Sequence, residues 1–89
     1  MEVKHNPQAQ RFEIELNGQL AVAEYRLEGQ DIYFTHTEVP PSFEGRGIGS
    51  QLARTALDYA KEKGYTVHVL CSFIKGYIEQ HPEYESLTK

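Results

Sequence analysis

In Glu44-Gly45-Arg46-Gly47-Ile48-Gly49-Ser50 a glycine falls at every second position. Each lacks the Cβ that would hold a ligand away from the backbone, and each tolerates positive φ. The stretch follows Val39-Pro40-Pro41, where proline must end a strand's hydrogen-bond ladder. It leads into a helical pattern. A glycine turn that opens a helix exposes unpaired N–H groups at the positive end of the helix dipole, which is a site for phosphate. The plainer reading is a tight loop whose glycines only let the chain reverse. A Walker A loop does not fit, because no Gly-Lys-Ser/Thr follows, and neither does the dinucleotide fingerprint, whose third glycine and later acid are missing.

Four more side chains could carry chemistry. Cys71 ends an apolar run just before a second helical segment, whose N-terminus would favour a thiolate and so a nucleophile. It could equally be a small buried hydrophobe. His36 and Glu38 lie two apart on a strand, hence on one face, where either could act as a general base. Otherwise they form a polar pair satisfied by nearby backbone. Lys75 could meet a phosphate or simply be solvated. Metal is rejected: His68 and Cys71, three apart on a strand, point to opposite faces, and no paired-ligand spacing of the zinc kind occurs. His81 is expected to pack or cap the end of the last helix.

The elements that must position these residues follow from periodicity. Glu2 to Asn6 reads as a short edge strand ended by Pro7. Arg11 to Leu16 alternates strictly, with Phe12, Ile14 and Leu16 on one face, as a half-buried strand does. Asn17-Gly18 predicts a type I′ hairpin, and Leu20 to Leu27 is the returning strand. A turn over Glu28 to Asp31 leads to a strand from Ile32 to Val39. Ile48, Leu52, Ala56, Tyr59 and Ala60 mark the core stripe of a helix from Ile48 to Lys63, with Gly64 as its C′ residue. Thr66 to Cys71 reads as a strand buried on both faces. Ser72 is the expected N-cap of a last helix, Phe73 to Gln80, with Phe73, Ile74, Tyr77 and Ile78 apolar; the tail from Glu83 to Lys89 should fray.

Strand, helix, strand implies a right-handed crossover and parallel pairing. The fold class is therefore α+β: an antiparallel meander extended by one parallel strand through a helical crossover, with a short C-terminal helix. A ligand should sit beyond the carboxyl ends of the parallel strands, at the glycine turn and Cys71.

The chain has 89 residues, read as one domain over 1–89, with 39% hydrophobic and 25% charged residues, the balance of a soluble globular protein. The net charge of −4 argues against a nucleic-acid partner. A single cysteine excludes an internal disulfide. No apolar run is long enough to span a membrane and Met1 to His5 does not read as a signal peptide, so a cytoplasmic location is expected. A monomer or homodimer is expected.

Taken together, strand, Glu44 to Gly49, helix, strand and short helix resemble the core of the GCN5-related N-acetyltransferases. That family's acetyl-CoA motif, Gln/Arg-x-x-Gly-x-Gly/Ala, maps onto Glu44 through Gly49. His36-Thr37-Glu38-Val39-Pro40, Cys71 and His81-Pro82-Glu83-Tyr84 resemble the very small members of the superfamily, and the likeness covers nearly the whole chain. The resemblance implies acetyl-CoA or CoA as cosubstrate, its pyrophosphate on the N–H groups of Gly45, Arg46, Gly47, Ile48, Gly49 and Ser50. The pantetheine arm would lie between the strands ending at Val39 and Cys71, pairing with backbone near Val39. The acceptor is an unspecified amine, on a small molecule or a protein. Cys71 could relay the acetyl group, although most of the superfamily use direct attack. Tyr77 stands where the family's last helix carries a tyrosine able to protonate the departing thiolate. Glu44 departs from the family pattern, which prefers Gln or Arg, and a carboxylate beside a pyrophosphate is unfavourable unless it turns away or Arg46 offsets it.

Overall fold

The computed structural model describes residues 2–43 and 45–88. Five strands among them form one sheet in sequence order: β1 (Lys4–Asn6), β2 (Arg11–Leu16), β3 (Gln19–Glu28), β4 (Asp31–Glu38) and β5 (Thr66–Val69). The first four pair antiparallel, and β5 lies parallel to β4 after the crossover helix α1 (Ile48–Lys63). Helix α2 (Ser72–Gln80) and a 3-10 helix over Pro82–Thr88 complete the chain. This is the α+β architecture expected from the sequence.

Local chemistry accounts for the joints. Asn17 and Gly18 both take positive φ, 55° and 78°, as the two-residue hairpin requires. Gly64 ends α1 in the left-handed region, its N–H on the carbonyls of Ala60 and Lys61. One sheet face carries Phe12, Ile14, Ala23, Tyr25, Ile32, Phe34 and Val67 into a core shared with Ile48, Leu52, Ala56 and Ala60 of α1 and with Ile74 and Ile78 of α2. Ala53 and Leu57 widen the helix stripe beyond the expected positions, while Tyr59 is only half-buried.

A bulge in β4 sets the geometry of the site. Tyr25 pairs with Phe34 but Glu24 pairs with His36, so Thr35 is an extra residue opposite no partner. Strict alternation from Ile32 and Phe34 would turn His36 inward and Thr37 outward. The bulge reverses this. Thr37 pairs with Ala23, itself opposite Phe12, on the core face, whereas His36 and Glu38 project from the other.

Three expectations are corrected. β5 ends at Val69 and is not buried on both faces: only Val67 is in the core, and Leu70 is 64% exposed. The reason is its place at the sheet edge, where no layer covers the outward face. There His68 stacks on Tyr33 with ring centroids 4.5 Å apart and reaches Asp31 Oδ1 at 2.8 Å. Ser72 is the first residue of α2 rather than its cap; Cys71 occupies the N-cap position, with no side-chain cap. The tail is ordered through Thr88, because Tyr84 is buried and its hydroxyl donates to Asp58 Oδ1 of α1 at 2.7 Å.

Candidate active site

The glycine turn is built from two residues in a conformation that other L-residues seldom adopt: Gly45 at φ 79° and Gly47 at φ 69°. Gly47 is the N-cap of α1, and the helix starts with no side-chain cap and no acidic residue in its first turn. Its ladder begins with the Gln51 N–H donating to the Gly47 carbonyl at 3.0 Å. The amides of Ile48, Gly49 and Ser50 therefore have no intrahelical acceptor, and they point out at the positive end of a 16-residue helix. This is the arrangement that holds an anion.

The turn opens into a cleft of about 380 Å³, whose walls include Thr37, Val39, Gly47, Ser50 and Phe73. Ile48 also borders it, though its side chain is buried in the core. Phe73, expected in the apolar stripe of α2, is instead 41% exposed. Its ring lies across Gly49, where an added Cβ would come within 2.6 Å of Phe73 Cζ. The absent side chain of Gly49 is thus what admits the ring. Arg46 is exposed, and Glu44 lies outside the described residues.

Beyond the last β4–β5 pair, Phe34 with Val69, the Cys71 side chain reaches Thr37 across the gap. Cys71, 9% exposed, donates its thiol hydrogen to Thr37 Oγ1 at 3.1 Å. Thr37 borders the cleft, and Cys71, bonded to it, is not among the residues that line it. Sequence reading singled out the cysteine and passed over the threonine. No local signal marks Thr37, since its inward direction depends on the bulge.

His36 and Glu38 lie together on the opposite sheet face, Nε2 to Oε1 3.5 Å, with side chains 57% and 70% exposed. They are in water, and reach a reacting amine only from that side. Tyr77 is half-buried, its ring 4.1 Å from that of His81, and burial pushes its hydroxyl pKa above 10.0, so it keeps its proton near neutrality. It borders a smaller recess of about 280 Å³ that shares Ser50 and Phe73 with the main cleft. His81 caps the end of α2 through its N–H on the Ile78 carbonyl, as expected. Lys75 faces elsewhere. It lines a groove of about 500 Å³ between β5 and the C-terminal 3-10 helix, away from the glycine turn. That groove is the larger, but it contains no helix N-terminus, and of the residues weighed for chemistry only Lys75 and His68 line it. The start of α1, whose first amides have no intrahelical acceptor, makes the smaller cleft the candidate site.

Comparison with known proteins places the chain in a family and a fold. The family described as GCN5-related N-acetyl-transferase matches residues 11–87. Mouse (Mus musculus) protein NATD1 is 39% identical over 83 residues, spanning 90% of this chain and 76% of that one. The human (Homo sapiens) protein NATD1 is 37% identical over 83 residues, at 90% and 74% coverage. The solution NMR structure of a GCN5-like protein from Staphylococcus aureus superposes with a TM-score of 0.76 at 28% identity, covering 97% of this chain and 85% of that one. Among the described residues no helix is long and apolar enough to cross a membrane.

Proposed function

The chain belongs to the GCN5-related N-acetyltransferase family, and on that premise we propose that it transfers an acetyl group from acetyl-CoA to a primary amine, either a small molecule or a protein's lysine or N-terminus. The observation that carries this is the uncapped start of α1, with Gly45 and Gly47 at positive φ, opening into the cleft that ends at Thr37. The pyrophosphate of acetyl-CoA sits on the amides of Gly45 to Ser50, and the thioester points between the ends of β4 and β5. Val39 supplies backbone partners to the pantetheine arm. Residues 1–89 act as one cofactor-binding unit.

Rate enhancement comes chiefly from holding amine and thioester together. The burial of Cys71 and its bond to Thr37 favour direct attack by the amine over relay through the thiol. Glu38 or His36 takes the amine proton, directly or through water, and Tyr77, which holds its proton, returns one to the departing CoA thiolate. The exposure of His36 and Glu38 supports a second reading, a CoA-binding module without turnover. Release of free thiol from acetyl-CoA, scanned over amines and lysine peptides, decides between them. Acceptor-dependent release is expected; binding of acetyl-CoA without release from any acceptor would favour the module.

A further inference from the structure

We propose that the Thr37 hydroxyl donates a hydrogen bond to the thioester carbonyl of acetyl-CoA and that the Cys71 thiol holds it in position to do so; this rests on the acetyltransferase reading above. The β4 bulge turns Thr37 onto the core face at the point where β4 and β5 separate. Its side chain borders the cleft that begins at the glycine turn, while the Cys71 thiol donates to it. A cofactor lying in this cleft contacts Thr37, whereas Cys71 is not among its lining residues.

Hydrogen-bond capacity gives this placement a direction. A hydroxyl has one donor hydrogen and two acceptor lone pairs. The Cys71 S–H at 3.1 Å occupies one lone pair, and among the described residues no acceptor takes the hydroxyl's own hydrogen. That hydrogen is available to the cleft. A hydroxyl that accepts a bond also becomes a somewhat stronger donor, because consecutive bonds polarise one another. The chain S–H to O–H to carbonyl oxygen thus aims a dipole where negative charge develops during acyl transfer.

The electron accounting needs no further reactant. The amine nitrogen, whose proton goes to Glu38 or His36, attacks the thioester carbon, the C–N bond forms, and the carbonyl π pair moves to the oxygen, where Thr37 donates. When the tetrahedral intermediate collapses, the π bond re-forms, the C–S bond breaks, and its pair leaves on the CoA sulfur, which takes a proton from Tyr77. Cys71 is never acetylated; it is a positioning residue.

Infrared difference spectra with acetyl-CoA carrying a carbon-13 carbonyl test this directly. On binding to the wild-type chain and to Thr37→Ser, the carbonyl band should move to lower frequency. In Thr37→Val, which keeps shape without the hydroxyl, it should return towards its position in free ligand, and kcat for thiol release should fall about 100-fold with KM little changed. Cys71→Ala should give an intermediate band. If Thr37→Val binds acetyl-CoA and leaves the band at the wild-type position, the inference fails and the acetyltransferase reading stands. If Cys71→Ala matches wild type, the positioning role of the thiol fails. If the wild-type chain does not bind acetyl-CoA at all, both readings fall together. Thr37→Ser guards against a folding defect in the valine variant.

Discussion

Whether Cys71 carries acetyl itself depends on one hydrogen bond. Its S–H is committed to Thr37 Oγ1, and the sulfur is nearly sealed from solvent. A thiol becomes a competent nucleophile as an accessible thiolate, and this one is neither free nor exposed. Intact-protein mass spectrometry after incubation with acetyl-CoA alone should therefore show an unmodified chain. One added acetyl in the wild type, absent in Cys71→Ala, would contradict direct transfer. At this scale the sequence displayed the residues of the anion site plainly, because glycines in alternation before a helix have a local physical meaning. It did not display Thr37, since which face a strand residue takes after a bulge depends on the partner strand.

Among the elements, α1 and α2 meet at a contact where two physical effects oppose each other. Alanine in place of a helical glycine usually adds stability, about 1 kcal/mol, by reducing the freedom of the unfolded chain. At Gly49 the new Cβ would fall 2.6 Å from the far end of the half-exposed Phe73 ring, which must swing away. Gly49→Ala alone should thus be close to neutral. In a Phe73→Ala background the same change should stabilise by roughly 0.5–1 kcal/mol, giving a coupling that a urea double-mutant cycle can resolve. Additive effects would mean that the ring does not rest on Gly49. The elements were the most legible level: β2 and α1 fall on the residues their periodicity marked, Arg11–Leu16 and Ile48–Lys63. β5 was misread because an apolar run cannot tell a central strand from an edge one. The tail was misread because Tyr84 is held by Asp58, 26 positions away.

For the molecule as a whole, ionisation of the groups that join its parts sets the pH range of the fold. Tyr25, whose hydroxyl is 2.5 Å from His5 Nε2 of β1, is pushed up from 10.0 to about 12 by burial and then by Tyr59 and Tyr65. Tyr84, which ties the C-terminal 3-10 helix to α1, is pushed up to about 12 by burial and then by its bond to Asp58. In both, the folded state favours the neutral phenol, so its folded pKa lies above the unfolded one. Their stabilisation is full below pH 10 and is lost as pH rises to about 12. His5 works at the other end: burial, then Lys63, holds its imidazole below 6.5, so the unfolded chain binds the proton first and stability falls as pH drops below that value. Thermal melts should show a falling Tm on the alkaline side that flattens in Tyr84→Phe, and a shallower acid limb in His5→Gln. An unchanged alkaline slope in both Tyr25→Phe and Tyr84→Phe would contradict this assignment.

All of the chemistry assigned to this chain requires that the uncapped start of α1 take the pyrophosphate of CoA. Titration calorimetry of the wild-type chain with CoA and with acetyl-CoA is the most direct measurement of that claim. Saturable heat at one site is predicted for both ligands, weakened in Gly47→Val, where a β-branched side chain at φ 69° distorts the turn. No heat from either ligand at millimolar concentration would contradict it.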